Sequence, residues 1–272
     1  MDQTWIYLNT GKGTPTFNMA LDEMLLTWHS RGEIPPAIRF YQWDPATLSI
    51  GYFQKIKDKI DLDAVREKGL GFVRRLTGGR AVLHDQELTY SVVVAEQGQD
   101  MPRSVIEAYR VLSQGILEGY KEIGIEAEFS IPQEKLNQTG SAVCFEEPSW
   151  YELVIGGRKA AGSAQTRQKG VILQHGSIPI EFDDEKLFDL FIYPNDKIKE
   201  RSRRAFKEKA VAIQEVVDHP ISIEDVEKAF KKGFEKGLHI NLEPYTLSSK
   251  QLEEVRDLEE KKFGNDEWTY YR

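Results

Sequence analysis

Hydrophobic residues at helical spacing predict four helices of at least three turns along the chain. Residues 16–30 (TFNMALDEMLLTWHS) place apolar side chains three and four positions apart, and we expect Thr16 or Asn18 to cap this helix. The same spacing continues from residue 104 to Gly124, which predicts the longest helix of the chain. Two further helices are predicted over residues 222–237 and 249–264.

Short runs rich in β-branched and aromatic residues predict strands between these helices. Residues 37–43 (AIRFYQW) and 46–53 (ATLSIGYF) are separated by Asp44 and Pro45, and this turn signal predicts that they pair as a hairpin. The pair Gly156–Gly157 predicts the tightest hairpin, after which Lys159 opens a strand over residues 159–166. The remaining predicted strands flank the pair Gly78–Gly79 and cover residues 127–131, 150–155, 171–182 and 239–245.

The organisation of the chain favours one main domain with a small C-terminal appendage. Strands and helices alternate up to about residue 184, whereas the later residues are mostly helical. We find no internal repeat and no low-complexity linker, so the expected boundary near residues 215–220 is soft.

Composition excludes several classes of protein. The chain has 272 residues, of which 40% are hydrophobic and 29% charged, as in a globular protein. Its apolar runs are much shorter than the roughly 20 residues that a membrane helix needs. A net charge of -8 argues against nucleic acid as a partner. The N-terminal residues lack the basic and apolar regions of a secretory signal, so we expect none. We expect no internal disulfide, since Cys144 is the single cysteine, and we place the protein in the cytoplasm.

One segment runs against the acidic balance. Residues Lys197 to Lys209 (KIKERSRRAFKEK) carry seven basic and two acidic residues, a local charge of +5. The favoured interpretation is a solvated helix with intrahelical ion pairs. The alternative is a surface that binds an acidic partner.

Residues 74–85 (RRLTGGRAVLHD) are the first candidate for a binding site. Two adjacent glycines let the backbone approach a ligand closely, and Arg74, Arg75 and Arg80 supply donors for a carboxylate or a phosphate. A simple turn explains the glycine pair equally well, and the spacing is neither that of a P-loop nor that of a dinucleotide-binding motif.

Residues 157–167 (GRKAAGSAQTR) are the second candidate. The side chains from Ala160 to Ala164 are small, so an alkyl chain lying against them would gain about 0.8 kcal/mol per buried methylene. A closely packed central strand is the alternative explanation.

Cys144 is the third candidate. A thiol attacks as its thiolate, and a nearby ammonium such as that of Lys159, fifteen residues later, favours the thiolate by lowering the thiol pKa. His84 and His175 are alternative activators, because Cys–His pairs are common in such enzymes. A buried, unreactive cysteine is the more common fate of a lone Cys.

In combination, these segments resemble a known superfamily. RRLTGGRAVLHD, CFEEPSWYELVIGGRKAAGSAQTR and LQHGSI occur in the order and spacing of the lipoate and biotin protein ligases. The resemblance is strongest to the LipM-type octanoyltransferases of Gram-positive bacteria, from FNMALDE near the start to DEWTYYR at the end. It implies an α/β (α+β) fold with a mixed, largely antiparallel sheet flanked by helices. The catalytic domain would span residues 1–218 and the mostly helical appendage residues 219–272.

The resemblance also implies an activity. Octanoyl would pass from octanoyl-acyl carrier protein to a lysine on a lipoyl domain of glycine cleavage H protein or of a 2-oxoacid dehydrogenase E2 subunit, the first step of lipoate synthesis. Cys144 matches the acyl-accepting cysteine and Lys159 the characteristic lysine. The substrate-binding residues it implies are Arg74, Thr77, Gly78, Gly79, Arg80, His84, Gly162, Ser163 and His175. No ATP is expected, because a thioester is already activated relative to an amide. No cofactor and no metal are expected either.

Three alternatives remain open. An amidotransferase would move octanoyl between two lipoyl-domain proteins by the same cysteine chemistry. An ATP-dependent ligase would form an acyl-adenylate, but such ligases usually have a third glycine where this chain has Arg80. A catalytically inactive acyl-binding protein would bind the acyl chain without turnover.

Overall fold

The described part of the chain folds into three β-sheets, with helices on both faces of the largest. The computed structural model describes residues 3–97, 101–130 and 152–271, so Cys144 lies outside the described residues. The strands are, in chain order, Gln3–Gly13 (β1), Ala37–Trp43 (β2), Thr47–Ile50 (β3), Gly71–Arg74 (β4), Val82–His84 (β5), Glu87–Ala95 (β6), Glu128–Ser130 (β7), Glu152–Ile155 (β8), Arg158–Lys159 (β9), Gly162–Gln168 (β10), Val171–Pro179 (β11) and Ile240–Pro244 (β12).

The largest sheet has six strands in the order β10–β11–β6–β2–β1–β12. The pairs from β10 to β2 are antiparallel, and β1 is parallel to both β2 and β12. A second sheet has the order β4–β3–β5, and a third has the antiparallel order β7–β8–β9. The expected mixed, largely antiparallel α/β fold is confirmed.

Some of the helices cover the two faces of the large sheet, and others pack against the second sheet. The helices are Pro15–Ser30 (α1), Leu62–Glu67 (α2), Val105–Leu112 (α3), Gln114–Glu122 (α4), Asp184–Asp189 (α5), Asp196–Lys209 (α6), Ile223–Leu238 (α7), Ser249–Leu258 (α8) and Asp266–Thr269 (α9), with a π-helical turn over Glu259–Phe263 after α8. Buried side chains of α1 and α8 form one core with one face of the sheet, and those of α3, α4 and α7 form another core with the opposite face.

Strand periodicity divides the residues of β2 between these two cores. Ile38 and Phe40 pack toward α4 and α7, whereas Ala37 and Tyr41 pack toward α1. Since successive side chains of a strand point to opposite faces, Arg39 also lies on the side of α1 and is completely buried there. The face beneath α1 thus receives the polar residues of several strands.

The predicted hairpin between residues 37–43 and 46–53 is wrong. β2 belongs to the large sheet, whereas β3 belongs to the second sheet, between β4 and β5. The turn at Asp44 and Pro45 therefore carries the chain from one sheet to the other. A turn signal marks a change of direction, and the strands that pair are decided by packing.

The predicted long helix over residues 104–124 is two helices. Ser113 ends α3 and precedes α4, with its Oγ 3.5 Å from Gln174 Nε2. α1 and α7, with 16 residues each, are longer. Apolar residues recur at helical spacing through both short helices. This pattern therefore does not reveal the break at Ser113. The cap of α1 is Thr14 and neither Thr16 nor Asn18, because Pro15 occupies the first turn.

Residues after the predicted boundary at 218 and 219 extend the main sheet. β12 pairs with β1, α7 packs against α4, and α8 packs against α1. The segment is mostly helical, as expected. The division into domains 1–218 and 219–272 stays a prediction.

Candidate functional site

A row of side chains crosses the large sheet beneath α1, and strand register sets it. Ser91 of β6 lies opposite both Arg39 of β2 and His175 of β11. Ala164 of β10 extends the row beyond His175. A second row lies two residues along the strands and contains Tyr41, Thr89, Ser177 and Gly162.

Asp22 of α1 is the centre of a buried hydrogen-bond network over the first row. One oxygen accepts from Arg39 Nη1 at 2.9 Å and from Ser91 Oγ at 2.8 Å. The other accepts from Tyr41 OH and His175 Nδ1, both at 3.0 Å. Burial raises the pKa of the Asp22 carboxyl, but the hydrogen bond from His175 and the charge of Arg39 outweigh it and hold the pKa below its ordinary value. Asp22 is therefore an ionised carboxylate.

The ring of His175 connects Asp22 to the glycine loop, by which we mean residues 75–81. Its Nε2 lies 2.7 Å from Thr77 Oγ1. Burial lowers the pKa of His175, and the Asp22 carboxylate opposes this effect without overcoming it. A neutral ring that donates from Nδ1 has an acceptor at Nε2. The Thr77 hydroxyl therefore donates to His175.

His84 of β5 has the same arrangement on the other side of the loop. Its Nδ1 lies 2.6 Å from Glu87 Oε1, and its Nε2 lies 2.7 Å from Ser49 Oγ. Arg75 Nη1 donates to the Ser49 oxygen at 2.7 Å, so Ser49 links the Arg75 guanidinium to the His84 ring. The Trp43 indole stacks on the imidazole, with ring centroids 4.3 Å apart.

Arg75 also fixes the shape of the glycine loop. Its Nη2 donates to the carbonyl of Gly78 at 3.1 Å and to that of Arg80 at 2.9 Å. Gly51, just after β3, lies against the loop, and a Cβ there would come within 2.0 Å of the Gly79 carbonyl oxygen. Only glycine permits this close approach of two backbones.

The loop, the two imidazoles and β10 surround a cavity of about 420 Å³, counted to its open mouth. Gly162, Ser163 and Ala164 form one wall, and Gly79 of the loop lies beside Ala164. The other lining residues come from α1, β2, β5, β6, β11 and the loop: Met19, Tyr41, Trp43, Arg75, Val82, His84, Thr89, His175, Gly176 and Ser177.

The small residues of segment 157–167 had two explanations, namely a surface for an alkyl chain and a closely packed central strand. The position of β10 in the sheet bears on this choice. Among the described strands β10 pairs with β11 alone and forms an edge of the large sheet. Within the described sheet, the alternative of a central strand is therefore wrong for Gly162, Ser163 and Ala164, which border the cavity. Ala160 and Ala161 are instead buried in the hydrophobic core.

Lys159 does not belong to the strand of small residues. It ends β9 in the third sheet, and β10 begins at Gly162, so the predicted single strand over residues 159–166 is wrong. The hairpin at Gly156 and Gly157 is confirmed, since both have positive φ and Ile155 pairs with Arg158. Lys159 Nζ donates to Glu152 Oε1 at 2.6 Å, and both residues are buried.

Five of the nine predicted substrate-binding residues line the cavity, namely Gly79, His84, Gly162, Ser163 and His175. The side chain of Arg74 lies elsewhere, where it donates to the carbonyls of Gly51, Gln54 and Thr269 at 2.8–3.0 Å. Thr77 is buried behind the cavity wall, and Gly78 and Arg80 lie in the loop beside it. The roles of all nine stay predictions.

Cys144 is outside the described residues, so its neighbours are not part of this geometry. Sequence reasoning missed Asp22, Glu87 and Glu152, each of which holds a predicted site residue. One signal was present for Asp22, because ALDE places a carboxylate among the buried residues of an amphipathic helix. Pairing across the sheet, which brings Glu87 to Ser177, has no local signal.

Within residues 3–97, 101–130 and 152–271, no group of three His, Cys, Asp or Glu side chains is placed to hold a metal ion. In the same part of the chain, no helix is long and apolar enough to cross a membrane.

Known proteins are similar to this chain over most of its length. The family model of the lipoyl protein ligase A/B catalytic domain matches residues 14–235. The chain is 58% identical over 275 residues to octanoyltransferase LipM of Bacillus subtilis (strain 168), covering 99% of each chain. It is 62% identical over 272 residues to octanoyltransferase LipM of Lysinibacillus sphaericus (strain C3-41), covering 98% of this chain and 99% of the relative.

Solved structures resemble the fold over its whole length. A bi-partite lipoate protein ligase from Thermoplasma acidophilum aligns with a TM-score of 0.81 at 25% identity, covering 98% of this chain and 96% of that one. Lipoate-protein ligase A bound with ATP aligns with a TM-score of 0.78 at 26% identity, covering 99% of each chain.

Proposed function

The chain belongs to the lipoyl protein ligase A/B catalytic domain family, and we propose that it carries octanoyl from acyl carrier protein to a lipoyl domain through a thioester on Cys144. The enzyme is an octanoyltransferase, an acyltransferase. The observation that carries the proposal is the identity of 58–62% to octanoyltransferases over 98–99% of the chain. The donor, the acceptor and the covalent intermediate are our inference.

In the first half-reaction, the Cys144 thiolate attacks the carbonyl carbon of octanoyl-acyl carrier protein. The new bond is between the cysteine sulfur and the acyl carbon, and the bond to the pantetheine sulfur breaks. The leaving thiolate takes up a proton. Because one thioester replaces another, the step is close to balance energetically and needs no ATP.

In the second half-reaction, the ε-amine of the acceptor lysine attacks the enzyme thioester. An amide forms, the cysteine leaves as thiolate, and the ammonium protons of the acceptor pass to solvent or to a base. The acceptor is a lysine of glycine cleavage H protein or of an E2 subunit. An amide is more stable than a thioester, so this step drives the overall transfer.

The cavity beside the glycine loop is the site we assign to the acyl chain. Gly162, Ser163 and Ala164 leave room along one side, and each methylene buried there is worth about 0.8 kcal/mol. Ser163 is fixed by Tyr90, whose hydroxyl donates to Ser163 Oγ at 2.7 Å. Gly79, His84 and His175 complete the surface that the chain would contact.

Lys159 is assigned to the thiol and the developing oxyanion. Its ammonium would favour the Cys144 thiolate and stabilise negative charge on the acyl oxygen. The buried pairing with Glu152 holds the ammonium in one position, which suits a group that acts by geometry. A free thiol nucleophile requires a reducing compartment, so the proposal places the enzyme in the cytoplasm.

The basic segment from Lys197 to Lys209 is assigned to docking of an acidic protein substrate. It forms α6, and the predicted intrahelical ion pairs are present, as between Arg204 and Glu200 at 3.6 Å. The end of α6 reaches the proposed site, since Ala210 bridges to Lys159 and Val211 N donates to the Lys159 carbonyl at 3.0 Å. Helix residues rise about 1.5 Å each, so Arg201 lies about 13 Å along the axis from that bridge.

The proposed function is tested by comparing donors. Purified enzyme receives octanoyl-acyl carrier protein, octanoylated glycine cleavage H protein, or free octanoate with ATP, each with a lipoyl-domain acceptor. We expect efficient transfer from the carrier protein without ATP. Preference for the octanoylated H protein would identify an amidotransferase, and dependence on ATP with free octanoate would identify a ligase. Either result would overturn the proposed donor, as would the absence of transfer from all three.

A further inference from the structure

A continuous chain of hydrogen bonds links the scaffold to the glycine loop. Asp22 is held by Arg39, Ser91 and Tyr41, which come from two strands of the large sheet. Its remaining donor is His175 Nδ1, so the direction of the imidazole is fixed by the scaffold. The opposite nitrogen of the same ring accepts from Thr77.

Thr77 acts through the backbone of the loop. The residue has no exposed surface, so its hydroxyl does not reach a ligand in the cavity. Its carbonyl accepts from the backbone N–H of Tyr52 at 2.8 Å, and Gly78 and Gly79 follow directly. A Cβ built on Gly79 would lie 3.9 Å from the Ala164 Cβ, which is van der Waals contact distance, so the loop and β10 meet at this point of the cavity wall. A shift of Thr77 would therefore move Gly79 relative to β10.

We propose that His175 is a positioning residue, which holds Thr77 and thereby keeps Gly79 in place beside Ala164, where the loop closes the acyl cavity against β10. This inference rests on the proposed function, because the position of the loop matters to substrate use only if the cavity holds the acyl chain. It predicts that the Thr77–His175 hydrogen bond controls discrimination between acyl chains of different length.

Removing this bond shifts the loop without releasing it. Arg75 still binds the carbonyls of Gly78 and Arg80, and Gly51 still packs against Gly79. The fold should survive, and the effect should appear in the use of the acyl donor. A role confined to stability would lower the melting temperature and leave chain-length discrimination as it is.

The geometry of the ring supplies matched variants. In His175→Asn the amide nitrogen takes the place of Nδ1, which keeps the donor to Asp22 and removes the acceptor of Thr77. In His175→Gln the amide oxygen takes the place of Nε2, which keeps that acceptor and removes the donor. Thr77→Val removes the hydroxyl at almost constant shape, and Thr77→Ser retains it.

The experiment measures kcat and KM with hexanoyl-, octanoyl- and decanoyl-acyl carrier protein. Thr77→Val and His175→Asn should raise KM for the octanoyl donor about tenfold and reduce the preference for octanoyl, the effect of one buried hydrogen bond. Thr77→Ser should keep most of the wild-type KM and preference. His175→Gln should lie between His175→Asn and the wild type, because it keeps the acceptor of Thr77 but loses the bond to Asp22. The double variant Thr77→Val/His175→Asn should be no worse than either single variant, because both remove the same bond.

Each other outcome counts against the inference. A Thr77→Val enzyme with the KM and chain preference of the wild type would overturn it, as would additive losses in the double variant. If His175→Asn fails to fold, the comparison of Thr77→Val with Thr77→Ser decides alone. A wild-type enzyme that transfers no octanoyl would instead refute the proposed function, so the two failures are distinguishable.

Discussion

Glu152 accepts a hydrogen bond from the ammonium of Lys159 at 2.6 Å, and the two side chains are buried together. Sequence reasoning assigned Lys159 to Cys144 alone. The structure adds a carboxylate that must remain compensated, because breaking a buried ion pair by removing one partner costs about 3–5 kcal/mol. Any test of Lys159 has to separate this loss of stability from a loss of chemistry.

The effect of Lys159 on the thiol is therefore best tested in a double variant. Lys159→Met/Glu152→Gln removes both charges and should fold, whereas Lys159→Ala alone should be destabilised. We expect the alkylation rate of Cys144 in the double variant to rise at a higher pH than in the wild type, because the ammonium that favours thiolate is gone. Glu152→Gln alone is the control for the carboxylate. The same pH profile in wild type and double variant would make His84 or His175 the better activator.

The basic face of α6 should bind the protein substrates. Arg203 pairs with Asp184, so the exposed residues Lys197, Arg201 and Arg204 are the better targets for reversal to Glu. The triple variant should raise KM for the carrier or the acceptor about tenfold at low salt, equivalent to ~1.4 kcal/mol.

The control for that variant is a reversal of equal charge on another surface. Lys250, Arg256 and Lys261 are exposed on or just after α8, and their reversal to Glu should leave KM near the wild-type value. If the two triple variants had equal effects, or if the first had none, α6 would have no role in docking. It would then be a solvated helix with ion pairs.

The width of the cavity should limit the acyl chain. Ala164→Leu adds bulk beside Gly79 and should reduce kcat/KM for the octanoyl donor at least about tenfold, with a smaller loss for a butyryl donor, because the larger side chain occupies the space of several methylenes. Thr166→Leu adds side-chain volume two residues along the same strand, outside the cavity lining, and serves as the control. An equal loss for both donors would argue against this position for the chain.

Folding stability should depend on pH through His175. Burial lowers the folded-state pKa of His175 below its ordinary 6.5, so between these two values the unfolded chain binds a proton that the folded chain does not. The stability is complete above about pH 6.5 and falls as the pH drops toward the folded pKa. Asp22, whose pKa is lowered from 3.8, loses its contribution only at a lower pH.

Urea unfolding of the wild type and His175→Gln at pH 7.5 and 5.5 measures the contribution of His175 to the pH dependence of the free energy of unfolding. The wild type should lose up to ~1.4 kcal/mol more than the variant over this interval, since one pH unit below the unfolded pKa is worth that amount. Comparing the two proteins cancels the other histidines. A variant with the full pH dependence of the wild type would show that His175 is charged in the folded protein.

Local sequence patterns predicted most elements but few of their partners. The apolar spacing of residues 222–237 located α7 well, and Gly156–Gly157 located the hairpin. The same spacing ran through Ser113, where the helix breaks. The turn at Asp44 and Pro45 gave no indication that β2 and β3 enter different sheets, because sheet membership depends on contacts distant in sequence.

The candidate site divides in the same way. The pair Gly78–Gly79 and the small residues after Ala161 are local signals, and Gly79 and Gly162 to Ala164 do line one cavity. Each imidazole is oriented by a carboxylate, but the two pairs differ in sequence separation. Asp22 is 153 residues from His175, whereas Glu87 is three residues from His84. The packing of α1 on the large sheet brings Asp22 to His175.

The central claim is that Cys144 carries octanoyl as a thioester, and mass spectrometry of the acylated enzyme tests it most directly. Enzyme incubated with octanoyl-acyl carrier protein, without acceptor, should gain one octanoyl group on the tryptic peptide that contains Cys144, and neutral hydroxylamine should remove it. Cys144→Ser should lose turnover, because a hydroxyl is a far weaker nucleophile at neutral pH. Near-normal transfer by Cys144→Ala without ATP, together with an unmodified wild-type peptide, would contradict covalent catalysis.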